Sequence, residues 1–247
     1  MAGESGLLIQ FRQDKIIPLI WRNRSYSYKE ARVIKMDISV LGPPGCGKGT
    51  QAKLLAAHFG LQHLSLGETL RMEIDKGTPL GQRTLTYVKG GVLVPDALVI
   101  EIFESYVAAN RSKGGFVFDG YPRTIEQAIA LDRIIDLTAV INFEVSEEEI
   151  LDRVAGRVID EQGRSYHLTK NPPPPGVYYK RRPDDQPEIV RKRLREYLRD
   201  IYPITDRYQE RGILITVNAT GSIGAVLDQL LDKLVAFDYK GVNGRVV

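Results

Sequence analysis

The chain has 247 residues, 26% of them charged, and a formal net charge of only +3. That length holds one large α/β domain with insertions or two small ones, and so small a net charge does not announce a nucleic-acid binder. The single cysteine, Cys46, excludes a disulfide framework and a four-cysteine zinc site; no apolar run approaches the roughly 18 residues that cross a membrane.

Residues 1–35 lack a continuous apolar core with a small-residue cleavage site, so no secretory signal is expected. Glu4, Asp14 and Glu30 also disagree with an acid-poor transit peptide. Met36 directly precedes the first convincing strand, and a start there would leave a complete domain. Residues 1–35 are therefore expected to be an extension dispensable for chemistry.

Asp37 to Leu41 is a short apolar strand running into glycines. Ala52, Leu55, Ala56 and Phe59 then form a helical stripe that Gly60 stops. Leu61 to Leu64 is a candidate strand. Ser65 with Glu68 predicts a capping box opening a helix, and Thr78-Pro79 and Val94-Pro95 each predict a further helix start. Phe116 to Asp119 is a buried-type strand ending in a carboxylate, and Ala139 to Phe143 is another. Ser146 with Glu149 predicts a second capping box, launching a helix through Arg153 and Arg157. Ile213 to Val217 is the fifth strand, and Ile223, Val226, Leu227, Leu230, Leu231 and Leu234 mark a last helix. Strands separated by helices predict an α/β fold with a parallel sheet covered on both faces. Ligands bind such sheets at the carboxyl ends of strands, which singles out the loop after Leu41, the segment Asp119 to Arg123, and Asn218 to Gly221. Val158 to Pro187 breaks the alternation. It is turn-rich, with prolines from Pro172 to Pro175, and reads as a stiff small subdomain.

Gly42-x4-Gly47-Lys48 follows a strand and opens a helix, the context that distinguishes a phosphate-binding loop from a glycine-rich turn. Glycines let backbone N–H groups turn inward as an anion nest, the helix N-terminus favours negative charge, and Lys48 adds a mobile cation. The general pattern has Ser or Thr directly after the lysine; here Gly49 stands there and Thr50 follows. Arginines crowd between Arg153 and Arg211. Singly they would be surface ion pairs; as a group they suit phosphate, because the guanidinium fork contacts two oxygens at once.

Gly42 to Ala52 (Gly-Pro-Pro-Gly-Cys-Gly-Lys-Gly-Thr-Gln-Ala) resembles the loop of adenylate kinases and their nucleoside-monophosphate kinase relatives, where Gly-Thr after the lysine is usual. Ser65 to Arg71 resembles the start of their monophosphate-binding helix. Asp119-Gly-Tyr-Pro-Arg123 resembles their Asp-Gly-Phe-Pro-Arg signature, and Arg182-Pro-Asp-Asp185 with Arg191-Lys-Arg193 resembles their arginine sites after the lid. The likeness spans about Met36 to Leu234 and implies a P-loop three-layer fold with a five-stranded parallel sheet. It implies a domain over 36–240, an AMP-binding subdomain at 65–94, a mobile lid at 156–186, and a tail at 241–247.

The implied reaction is ATP + AMP ⇌ 2 ADP. Lys48 and the backbone of Gly45, Cys46, Gly47, Gly49 and Thr50 would hold ATP phosphates, with Arg153 against the adenine and Ser165, Tyr166 and Gly221 also at the ATP. Arg71 and Arg123 would clamp the AMP phosphate, with Gly120, Tyr121 and Pro122 lining that site. Val92, Leu93 and Val94 would contact the AMP, Leu66 would lie near its base, and Gln127 would hydrogen-bond the base. Arg157, Arg182 and Arg193 would converge on the transferring group, and Asp119 would act on Mg²⁺ through water. No direct metal ligand and no structural zinc are expected. A cytoplasmic monomer, binding neither nucleic acid nor membrane, is implied. Leu66 stands where these enzymes commonly carry threonine, a feature shared with pyrimidine-directed relatives; Gln127 and the long lid favour AMP. A UMP/CMP kinase, a GTP-using enzyme and a P-loop binder without turnover remain the alternatives.

Overall fold

The computed structural model describes residues 36–89, 94–161, 163–182 and 185–243. The expected extension over 1–35 and the AMP-contact residues Val92 and Leu93 lie outside the described residues. Five strands, β1 (Ile38–Leu41), β2 (Gln62–Ser65), β3 (Phe116–Asp119), β4 (Ala139–Glu144) and β8 (Leu214–Asn218), form one parallel sheet in the order β2-β3-β1-β4-β8. The central strands are buried end to end, as expected of a sheet covered on both faces. The order reverses beside β1, so the loops after β1 and β3 open on the crevice where such sheets bind ligands.

One apolar layer on the sheet joins α4 (Asp96–Asn110), α5 (Ile125–Ile134) and α7 (Pro187–Glu210); the other joins α1 (Lys48–Phe59) and α8 (Ile223–Asn243). α8 runs past the boundary expected at residue 240. Asp37, 1% exposed, ties the sheet's lower edge together. Its carboxylate accepts from Arg111 Nη1 at 2.8 Å and from the Phe116 N–H at 3.0 Å. α2 (Leu66–Asp75) and α3 (Pro79–Lys89) pack on each other so closely that a Cβ on Gly81 would meet the Glu73 carbonyl at 2.0 Å.

Several local expectations change. Ser65 makes no side-chain cap; Glu68 turns instead to Lys53 Nζ, at 2.7 Å. The Ser146 cap is made, Oγ accepting from the Glu149 N–H at 3.3 Å. Its helix, α6 (Glu147–Ala155), stops at Gly156 before reaching Arg157. A Cβ on Gly156 would lie 2.3 Å from the His167 ring, so the chain crossing there fills the space the helix would need. Arg157 therefore begins a strand and does not share a helix face with Arg153. β5 (Arg157–Asp160), β6 (Ser165–His167) and β7 (Tyr179–Lys180) form a small antiparallel sheet, ordered β6-β5-β7, within the turn-rich stretch. Among the described residues, no helix is long and apolar enough to cross a membrane.

Candidate active site

Lys48 is the first residue of α1, entered through Gly47 in a left-handed conformation at φ 93°. Only glycine adopts that conformation without strain, and it brings the helix N-terminus directly off β1. Lys48 Nζ donates to the Pro43 carbonyl at 3.2 Å, across the mouth of the loop. A Cβ on Gly45 would meet Val154 at 2.7 Å, so α6 packs against the loop's outer side. Cys46 is 2% exposed, its side chain in the apolar layer beneath the loop. Burial raises its thiol pKa, which leaves it a packing residue whose backbone belongs to the loop.

Asp119 ends β3 against α1. A Cβ on Gly49 would come within 3.0 Å of Asp119 Oδ2, which explains a glycine where the general pattern has Ser or Thr. Burial works to raise the Asp119 pKa; the nearby His63 and the charges of Lys48 and Arg123 outweigh it and hold the carboxyl below its ordinary value. His63 Nε2 lies 3.5 Å from Asp119 Oδ2.

The chain then turns at Gly120 (φ 68°), and the Tyr121-Pro122 bond is cis. Arg123 comes back over the turn, its Nε donating to the Gly120 carbonyl at 2.8 Å. Desolvation in the cleft lowers the Arg123 pKa to about 10; the positive charge of Arg193 and Arg71 adds to this and Asp119 opposes it. Burial likewise lowers Lys48, with Arg123 and Arg193 adding and Cys46 and Asp119 opposing. Lys48 and Arg123 thus lie beside one carboxylate, and Arg193 and Arg71 stand close enough to Arg123 to add to its positive surroundings. Cations held together at this cost fit a polyanionic ligand.

Other expected site residues fall elsewhere. Arg153 is fully engaged as a clamp: Nη1 donates to the Cys46 carbonyl at 2.8 Å, Nη2 to the Ala219 carbonyl at 2.7 Å, and Nε to Glu149 at 2.8 Å. It ties the phosphate loop to the turn carrying Gly221. The Arg157 guanidinium forks onto Asp185, Nε donating to Oδ2 at 2.8 Å and Nη2 to Oδ1. Ser165 and Tyr166 sit on β6 opposite Ile159 and Val158; Tyr166 Oη donates to Asp160 at 3.2 Å. Arg182 lies in the turn before α7, where its carbonyl accepts from the Asp185 N–H at 3.2 Å.

Leu66 and Tyr121 are 2% and 1% exposed, and Pro122 is buried too, so these side chains build the wall from behind. Tyr121 stacks on Phe103 at 3.7 Å between centroids, and its hydroxyl donates to the Gln127 carbonyl at 3.4 Å, a partner that makes the extra oxygen tolerable. Val94 is half-buried against the same layer.

Thr124-Ile-Glu-Gln127 caps α5, Thr124 Oγ1 accepting from the Gln127 N–H at 3.2 Å. The Ser/Thr-x-x-Glu/Gln spacing was there to read. Gln127 reaches one residue further back than in the usual box, to the Arg123 N–H at 2.8 Å. His63 and Asp96, which contact Asp119 and Gln127, carry no local sequence signal.

Among the described residues no group of three His, Cys, Asp or Glu could hold a metal ion. One buried carboxylate beside the phosphate loop nevertheless suits Mg²⁺, which keeps most of its waters and leans on substrate phosphates.

The family model for adenylate kinases matches residues 40–213. The adenylate kinase of Methanothrix thermoacetophila is 39% identical over 216 residues, covering 82% of this chain and 100% of that protein. That of Methanosarcina mazei is 39% identical over 215 residues, with the same coverage. That of Desulforamulus reducens is 40% identical over 210 residues, covering 79% of this chain and 98% of that protein.

Proposed function

The chain belongs to the adenylate kinase family, and from that premise we propose that it transfers the terminal phosphoryl group of ATP to AMP, reversibly, giving two ADP. The observation that carries this is the placement of Lys48 and Arg123 beside Asp119, with Arg193 and Arg71 close to Arg123, at the carboxyl ends of β1 and β3. The acceptor is a phosphate oxygen, already anionic at neutral pH, so no general base is required. Transfer then depends on alignment and on neutralising charge over the equatorial oxygens.

In this reading Lys48 and the loop backbone from Gly45 to Thr50 hold the ATP phosphates. Arg71 and Arg123 hold the AMP phosphate from the opposite side, and Arg193 lies between. Arg182 and Arg157 join from the lid, residues 156–186, once Asp185 yields Arg157. Arg153 presents its plane to the ATP adenine while its edges stay hydrogen-bonded. Ser165, Tyr166 and Gly221 border the same nucleotide. Gln127 reads the AMP base, with Val94 and the backbone of Gly120 beside the ligand; α2 and α3, within residues 65–94, cover it. Asp119 would hold Mg²⁺ through water, and the ion supplies charge neutralisation between the donor phosphates when bound. Closure of the lid excludes water, the competing acceptor.

The same reading makes the enzyme a cytoplasmic monomer. Its single cysteine agrees with a reducing compartment, and size-exclusion with light scattering tests the monomer. The reaction itself is tested by nucleotide chromatography of the purified chain with ATP, AMP and Mg²⁺. ADP should appear at two equivalents per AMP consumed, and chelating the Mg²⁺ should stop it. ADP formed without loss of AMP would mean hydrolysis and would contradict the proposal.

A further inference from the structure

Gln127 is 3% exposed, and the protein holds both ends of its carboxamide. Oε1 accepts the Arg123 backbone N–H at 2.8 Å; Nε2 donates to Asp96 Oδ1 at 2.6 Å. The other Asp96 oxygen accepts from Thr124 Oγ1 at 2.8 Å, and that hydroxyl caps α5. Asp96 opens α4, so the contact bridges two helix starts separated by 31 positions. Asp96 is half-buried and also lines a cavity of about 380 Å³ with Val94, Thr124 and Arg199.

A carboxamide has two N–H donors and two oxygen lone pairs. Asp96 takes one donor and Arg123 fills one lone pair, leaving one N–H beside one lone pair. That pair complements a 6-aminopurine, whose exocyclic amine donates and whose N1 accepts. A 6-oxopurine presents the reverse, an accepting oxygen beside a donating N1–H. Rotating the Gln127 amide to suit it would set Oε1 against the Asp96 carboxylate and the NH₂ against the Arg123 N–H. The Leu66 side chain has no polar atom to offer and is buried.

We infer that Asp96 is a positioning residue: it locks the Gln127 amide in the adenine-reading orientation and so sets the preference for 6-amino over 6-oxo purine monophosphates. It acts through Gln127 and does not touch the nucleotide. The inference rests on AMP being the acceptor.

The test is steady-state kinetics of the whole chain with ATP and either AMP or IMP, which differ at the 6-position. Asp96→Asn keeps the shape but removes the fixed acceptor, since the new amide can turn either way. It should lower the AMP:IMP ratio of kcat/KM by about tenfold, chiefly through the KM for AMP, with the KM for ATP moving less than about twofold. Asp96→Ser is the second variant and should act the same way. In a Gln127→Ala background Asp96→Asn should leave the ratio where it is. A ratio unmoved by folded Asp96→Asn or Asp96→Ser, or lowered equally without Gln127, overturns the role of Asp96. A wild type that fails to phosphorylate AMP overturns the acceptor reading instead.

Discussion

Lys48 and Arg123 face each other across Gly120: a Cβ there would lie 3.2 Å from Lys48 Cε and 3.4 Å from Arg123 Nη2. The two cations that would grip donor and acceptor phosphates are thus spaced by the absence of a side chain. Gly120→Ala should cost the fold about 1–2 kcal/mol, because φ 68° is left-handed. It should also lower kcat about 100-fold by displacing Lys48 or Arg123. Thermal melts and turnover numbers check both; normal turnover would show that the spacing does not matter.

Arg123 is held at a cost to the empty protein. Its folded pKa, about 10, lies below that of a free arginine. The folded state therefore binds this proton less well, a destabilisation present below about pH 10 and relieved only as pH rises towards the free value. Because the residue is exposed along the cleft, solvent screens part of the effect. Arg123→Met should accordingly leave the ligand-free melting temperature unchanged or raised at neutral pH, while turnover falls by about 1,000-fold or more. A clear drop in melting temperature would mean that Arg123 supports the fold.

Asp119 gives the opposite pH signature. Its folded pKa lies below its unfolded value of 3.8. Its contribution is complete above about pH 4 and is lost as pH falls through the folded value. As pH falls below about 4 the wild type should lose stability more steeply than Asp119→Asn. Parallel acid-denaturation profiles would contradict the assignment.

Asp37 offers a control remote from the cleft. Asp37→Ala should leave Arg111 and the Phe116 N–H without their buried acceptor and destabilise the fold by about 2–4 kcal/mol. Turnover at low temperature should stay within about twofold of wild type, since additivity holds between distant sites. Urea melts and turnover at one temperature decide it.

The parts of this protein readable from sequence are those where a short segment dictates its own geometry. The strand, glycine loop and helix around Lys48 are fixed by adjacent residues, and so is the strand end at Asp119. α5 and α7 escaped. α7 carries its buried residues Val190, Leu194, Ile201, Ile204 and Tyr208 at helical spacing, but a dense charge pattern and the internal Pro203 mask the stripe. Arg157 was misplaced because the helix stop at Gly156 depends on His167, which arrives from another strand. Asp96 was invisible for the same reason: its meaning lies in Gln127, and only the fold brings the two together. The Cys46 thiol and the Leu66 side chain, both at motif positions, turned out to face the apolar layers.

One measurement tests AMP as the acceptor most directly: kcat/KM for AMP, UMP, CMP and GMP with ATP as donor. With Gln127 locked as described, AMP should exceed each of the others by about tenfold or more. A value for UMP or CMP equal to or above that for AMP would contradict the account, leaving the phosphate machinery in place but assigning it to a pyrimidine acceptor.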